Sequence, residues 1–467
     1  MATASPVGSP KQIPSAYQSG ILPPMPLRRT TIDYTPFVVS ARYTNLGLIA
    51  RGSGTVLVSA TDVGRVAGAG TFPRQVAIKK VPDVGASVTT TRQLLREIRI
   101  LRSVSHPHLL RLLDLTASPS DGGVGKRADV YLVTPLATGG DLGAALAGAA
   151  AGWRPPLADT TLRRVMYQTL SALAALHDAG IVHRDVKPEN IFLTGGGPDG
   201  VGDVLLGDFG LSRYIPARRP RGTRDCSRGA LSSSTWRVTR PAASMSGSAT
   251  MTSADDAGLT QGVATRGYRP PELTTRRRRR CRPAYDASMD LWAVGVVLAQ
   301  ALVPGARIPT RASSLGWAGG AGSKPWDVPA WIAAAVRTAG VQAPPTDAVD
   351  LLRRLLAVDP VARISAAEAM AHPYVVGSAA TALAGSGVGI LGRGGGGGVG
   401  GGPARGRATG GVRLEPPAGA GKAELGALLW SEVTAFHPEL ENERPLLGTV
   451  AGEKKRRRGL VALLRRR

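Results

Sequence analysis

The sequence predicts an α+β fold in two lobes: a small β-rich lobe with one helix, then a larger, mainly α-helical lobe. Three observations lead there. Strand-like runs crowd residues 43–134 around a single stretch of helical periodicity. After Pro135 the long periodic segments are helical. Pro, Ser and Thr at one end and a glycine run near the other mark off flanks of different composition.

Taken in order, residues 1–42 read as a disordered lead-in. NLGLIARGSGTVLVSATD then gives two strand runs around a glycine-bearing turn, and RQVAIKKV gives a third. In TRQLLREIRILRSV, Leu94, Leu95, Ile98, Ile100 and Leu101 fall at helical spacing. LLRLLDL and DVYLVT follow as strand candidates. TLRRVMYQTLSALAALHDAG is a long amphipathic helix that ends at Gly180. SMDLWAVGVVLAQAL and AVDLLRRLLAVD are two further helical pieces. Beyond Tyr374 the run GRGGGGGVGGGPARGRATGG has the composition of a flexible linker, followed by a tail with basic ends.

The 43% apolar content suffices for a sizeable core, and the net charge of +25 is carried mostly by arginine. Much of that charge sits in runs at Arg219–Arg224, Arg276–Arg280 and Lys454–Arg458, which are usually solvated. They carry a secondary expectation of nucleic-acid contact or nuclear import. Two cysteines, Cys226 and Cys281, rule out a disulfide framework and point to a reducing compartment. No basic-then-apolar leader pattern opens the chain, and LWAVGVVLAQALV is too short to span a bilayer. The expectation is a soluble protein of the cytoplasm, the nucleus or both, with no membrane partner.

The densest chemistry lies in HRDVKPEN, residues 183–190. Transfer of a phosphoryl group to a hydroxyl needs a carboxylate to orient and accept the proton, a cation near the moving group and a neutral oxygen ligand for magnesium. Asp185, Lys187 and Asn190 supply these. Asp208 in GDFG offers a second metal ligand, Lys79 in VAIKK a clamp for the phosphates, and Glu97 in LREI a partner to orient that lysine. The six histidines have no metal-ligand spacing.

Together these motifs resemble those of protein kinases. The lysine two residues after Asp185 is similar to the serine/threonine-specific branch. VAIKK, LREIRIL with HPHLLRLLDL, DVYLVTPL, VATRGYRPPEL and AVDLLRRLLAVDPVARISAAEAMAHPYV resemble MAP kinases, within the group that includes cyclin-dependent kinases. The resemblance implies a bilobal kinase domain over 43–375, with lobes 43–134 and 135–375. It implies an activation segment over 208–272 with an insertion at about 214–259, and a glycine-rich linker and basic tail over 376–467.

It also implies ATP with Mg2+, protein substrates bearing Ser or Thr, and an upstream activating kinase. Nucleotide contacts would come from Ala50, Gly52, Gly54 and Val56 of an irregular glycine loop, from Ala77 and Lys79, and from the hinge residues Thr134, Pro135 and Ala137. Asn190 and Asp208 would hold the metal. The family's Thr-x-Tyr activation triplet reads Thr260-Gln261-Gly262, which keeps the threonine alone. Arg96, Arg184 and Arg213 would converge on a phosphate at Thr260. Thr265 and Arg266 would line the substrate pocket, with Arg266 favouring proline after the acceptor, and Gly267 stands where the family has tryptophan. Glu272 would pair with Arg363, and Asp290 would brace the catalytic loop. The family's C-terminal acidic docking site has no matching pattern. The irregular loop and the missing tyrosine leave open an alternative, a nucleotide-binding pseudokinase that serves as a scaffold.

Overall fold

The computed structural model describes residues 26–52, 54–64, 74–119, 128–197, 199–215, 265–274, 286–308, 326–377, 414–417 and 419–438. Among them, β1 (Leu27–Ile32) and β2 (Thr35–Ser40) form an antiparallel hairpin. Next come β3 (Tyr43–Gly52), β4 (Thr55–Asp62) and β5 (Arg74–Val84), then α1 (Val88–Ser103), β6 (Asp114–Pro119) and β7 (Ala128–Pro135). The five later strands make one sheet in the order β3-β4-β5-β7-β6. Strand alternation gives that sheet two buried faces. Val56, Val58, Ala60, Val76 and Ile78 pack with Phe37 and Val39 of the hairpin on the outer face. On the inner face lies α1, capped by the Ser87 side chain accepting from the Thr90 N–H and burying Leu94, Leu95 and Ile98.

The second lobe is helical. A two-residue strand β8 (Gly140–Asp141) leads into α2 (Leu142–Ala150) and α3 (Asp159–Asp178). Gly180 stops α3 with φ +72°, a left-handed conformation that glycine takes without cost. Short strands β9 (Ile181–Val182), β10 (Ile191–Leu193), β11 (Val204–Leu206) and β12 (Arg213–Tyr214) follow, then α4 (Pro271–Thr274) and α5 (Ser288–Leu302). Helices α6 (Val328–Ala339), α7 (Thr346–Leu355) and α8 (Ala366–Met370) complete the lobe. The middle of α5 is buried all round, and a Cβ on Gly295 would sit 2.8 Å from Leu356, so that close helix approach requires glycine. Among the described residues no helix is long and apolar enough to cross a membrane.

Three features differ from the sequence expectation. Residues 27–40 are not a structureless lead-in: Phe37 and Val39, both fully buried, give the hairpin an apolar face that the sheet covers. LLRLLDL does not become one strand. β6 begins only at Asp114, because Leu109 and Leu110 pair instead with Leu206 of the other lobe. Third, the region read as linker and tail contains α9 (Lys422–Thr434), which packs on α1 through Leu425, Leu429 and Val433, all fully buried. Those positions repeat every four residues, the stripe of a helix that needs a partner. Residues 216–259 of the activation-segment insertion, Cys226, Cys281, the arginine runs and the glycine run lie outside the described residues.

Candidate active site

β5 carries Lys79 on the inner face of the sheet, and α1 brings Glu97 to meet it. Lys79 Nζ donates to both Glu97 oxygens, at 2.8 and 3.0 Å. Burial alone would lower the Lys79 pKa, but Glu97 and Asp208 outweigh it and hold the ammonium charged. Asp208 is therefore within electrostatic reach of the pair. It sits just after β11 with φ +61°, a conformation seldom adopted by non-glycine residues. Its neighbours fix that turn: Gly207 N–H donates to the Asn190 carbonyl at 3.1 Å, and Phe209 is buried 5.3 Å from the His183 ring.

The loop between β9 and β10 supplies the rest. Lys187 Nζ donates to Asp185 Oδ2 at 2.9 Å, and Thr265 donates to Asp185 Oδ1 through both its hydroxyl (2.9 Å) and its N–H (3.1 Å). Burial would raise the Asp185 pKa, yet hydrogen bonds from Lys187 and Thr265 keep it below the ordinary carboxylate range. Asp185 is thus ionised at neutral pH and already holds a hydroxyl. Asn190 Nδ2 donates to the Asp185 carbonyl at 2.8 Å, which assigns its amide oxygen to the accepting side.

The loop is held from below by Asp290 in the first turn of α5. This fully buried carboxylate accepts the N–H of His183 (2.9 Å) and of Arg184 (2.8 Å) and pairs with His177 (2.9 Å). Burial would raise its pKa, and His177, the His183 ring and the Arg184 N–H overcome that. Those bonds also hold Arg184 at φ +71°.

A hard cation fits this donor set. An amide oxygen on Asn190 and a carboxylate on Asp208 are oxygen ligands of the kind Mg2+ shares with substrate phosphates and water. Among the described residues no three His, Cys, Asp or Glu form a metal cage, and an Mg2+ held largely by phosphates and water would need none.

One predicted contact is misplaced. β4 pairs with β5 so that Val56 faces Lys80 and Leu57 faces Lys79. Val56 therefore packs on the hairpin side, and Leu57 is the β4 residue on the face that carries Lys79. Arg51, which pairs with Val56, also turns outward, where it binds Asp33 (2.7 Å) and Thr35 (3.1 Å), on the face opposite Lys79. Ala50, opposite Leu57, shares the inner face, and Gly54 takes φ +82° at the tip of the loop. Ala77 pairs with Thr134 on that same face. In the hinge, Leu136 N–H is spent on the Gln75 carbonyl (3.2 Å), and the Ala137 carbonyl accepts from Gly140 (3.1 Å).

A protein kinase domain model matches residues 63–232 and 245–375, well over half of the chain. The chain belongs to the protein kinase family. Its relatives include the mitogen-activated protein kinase HOG1 of Candida glabrata, 29% identical over 74% of this chain and 66% of the relative. HOG1 of Saccharomyces cerevisiae is 28% identical over 74% of this chain and 67% of the relative. HOG1 of Candida albicans is 28% identical over 74% and 79%. This kinase thus resembles MAP kinases while spanning just under two thirds of the first of them.

The kinase's activation segment leaves the catalytic loop through Ser212, whose hydroxyl donates to the His183 carbonyl at 3.1 Å, and through β12, which pairs with β9. At the far end, Glu272 is bound by Arg363 at 2.9 and 3.1 Å. Thr265 lies at Asp185, Arg266 beside it is exposed, and Thr260 lies outside the described residues. Of the three arginines expected to converge, Arg96 and Arg213 interact electrostatically, and Arg184 is buried beneath its braced backbone. The sequence reading missed Arg92 and Glu415, which join that cluster. Their pattern has no sequence signal, because Glu415 lies 319 residues from Arg96.

Proposed function

We propose that this protein is an active serine/threonine kinase that transfers the γ-phosphoryl group of ATP to protein hydroxyls. The observation that supports this most is the closed Lys79–Glu97 pair facing Asp208, in the same cleft as an ionised Asp185 that holds a threonine hydroxyl. Lys79 would clamp the phosphates, and Glu97 keeps its ammonium aimed at them. Asp185 would orient the acceptor hydroxyl and take its proton, and Lys187, bonded to the same carboxylate, would face the developing charge. Asn190 and Asp208 would hold Mg2+, which when bound neutralises charge on the phosphates. The scaffold alternative would need one of these groups missing or turned aside, and nothing in the geometry favours it.

The expected result is transfer of labelled phosphate from Mg·ATP to serine and threonine of a general substrate such as myelin basic protein. A protein that binds ATP yet transfers no faster than an Asp185→Asn blank would end the reading. By resemblance to MAP kinases, the proposal includes a preference for proline after the acceptor, from Arg266, and an upstream kinase acting on Thr260.

We also place the protein in the cytoplasm and the nucleus, with KKRRR at Lys454–Arg458 as the nuclear or polyanion-binding element. Removal of residues 453–467 should abolish nuclear accumulation or lower the affinity for a duplex DNA in a salt-dependent way. No change in either retires that element.

A further inference from the structure

Glu415 belongs to no catalytic motif, yet it ties together two elements on which the phosphotransfer site depends. Its carboxylate oxygens accept from Arg96 Nε at 3.1 and 3.0 Å, and Oε1 also accepts the Tyr214 N–H at 3.2 Å. Arg96 is on α1, directly before Glu97. Tyr214 is on β12, at the start of the activation segment, directly after Arg213. One carboxylate therefore pins α1 to that segment.

The surroundings call for an anion. The Arg96 side chain is only 5% exposed, so water does little to solvate its charge. Arg213 has its pKa lowered by burial first and then by repulsion from Arg96, with a further contribution from Arg92 and only partial relief from Glu415. Three crowded guanidinium groups favour whichever anion reaches them. The chain delivers its own. The α9 stripe docks on α1, Glu432 binds Arg99 (2.9 Å) and Arg102, Arg92 donates to the Ala420 carbonyl (3.2 Å), and His437 pairs with Asp114 (2.7 Å).

We infer that Glu415 is a positioning residue for phosphoryl transfer: it fills the arginine cluster in place of a phosphate and keeps Glu97 against Lys79 while Thr260 is unmodified. This rests on the kinase reading above. The carboxylate supports the closed site and does not block it, because with Glu415 docked Lys79 meets Glu97 at 2.8 Å, Phe209 is buried and Asp185 holds a hydroxyl. One carboxylate among three arginines leaves room for more negative charge. A phosphate on Thr260 would therefore compete with Glu415 for the same groups.

The test uses full-length protein treated with phosphatase and verified by mass spectrometry to carry no phosphate at Thr260. Wild type and Thr260→Ala should transfer phosphate to myelin basic protein at rates within about twofold of each other. Glu415→Gln, of the same shape, should lose at least tenfold in kcat, Glu415→Asp should recover most of it, and amide exchange in α1 should rise in the Gln variant alone. Phosphothreonine installed at 260 should restore Glu415→Gln and, in wild type, release residues 414–417 to exchange. Unchanged kcat in Glu415→Gln overturns the inference, as does a dephosphorylated wild type that works only once phosphothreonine is present; the kinase reading survives both. A wild type inactive in both states overturns the two together.

Discussion

Asp185→Asn should lower kcat by roughly 10²–10⁴-fold, the usual contribution of a positioned base, while the affinity for ATP stays within a few-fold. The asparagine keeps the shape that Lys187 and Thr265 bind, but it cannot take a proton and it removes the charge. ATP is expected to be held elsewhere, on the strands and at Lys79. Equilibrium binding of a fluorescent ATP analogue, measured beside steady-state transfer, separates the two. Undiminished transfer by the variant would remove Asp185 from the mechanism, and a parallel loss of ATP affinity would show a role in the nucleotide site.

Arg363→Ala should destabilise the large lobe by about 3–5 kcal/mol, the range for breaking one side of a buried ion pair. The Arg363 side chain is fully buried, donates twice to Glu272, donates to the carbonyls of Ser288 (2.9 Å) and Ala357 (3.0 Å), and lies over the Trp292 ring. Its loss takes a buried charge partner from Glu272 and one donor from each of two carbonyls at once. Melting should fall on the order of 10 °C, with activity falling earlier because Glu272 anchors the end of the activation segment. Replacing both partners by methionine should recover much of the stability without the activity, since no buried carboxylate then loses its guanidinium. A melting temperature unmoved by Arg363→Ala would show the pair to be peripheral.

The catalytic loop was legible because its chemistry is local: Asp185, Lys187 and Asn190 lie in one short run, and their mutual hydrogen bonds follow from that closeness. α1 was legible through its apolar spacing, and Glu97 through its place upon it. The β4 contact was not. Assigning Val56 by counting glycines fails because a register shift of one residue exchanges the faces of a strand, and only the pairing with β5 reveals that Leu57 looks inward. The hairpin did carry a signal, the alternation of Phe37 and Val39, but the Pro- and Ser-rich composition of the first residues obscured it. The stripe of α9 was likewise present and was absorbed into its glycine-rich neighbour. Glu415 had no local sign at all. A single acidic residue acquires meaning only through arginines that folding brings from hundreds of positions away.

The docking of α9 has a kinetic consequence. The helix sits on the small lobe although the chain reaches it from the large one, and residues 378–413 join the two in sequence. Joined covalently to the chain it docks on, the tail behaves as an intramolecular ligand, at an effective concentration that a free peptide would lack. A single backbone cut between 378 and 413 would make it a separate peptide that dilution carries away. Proteolysis far from the cleft could then silence the enzyme without touching a residue that meets the nucleotide.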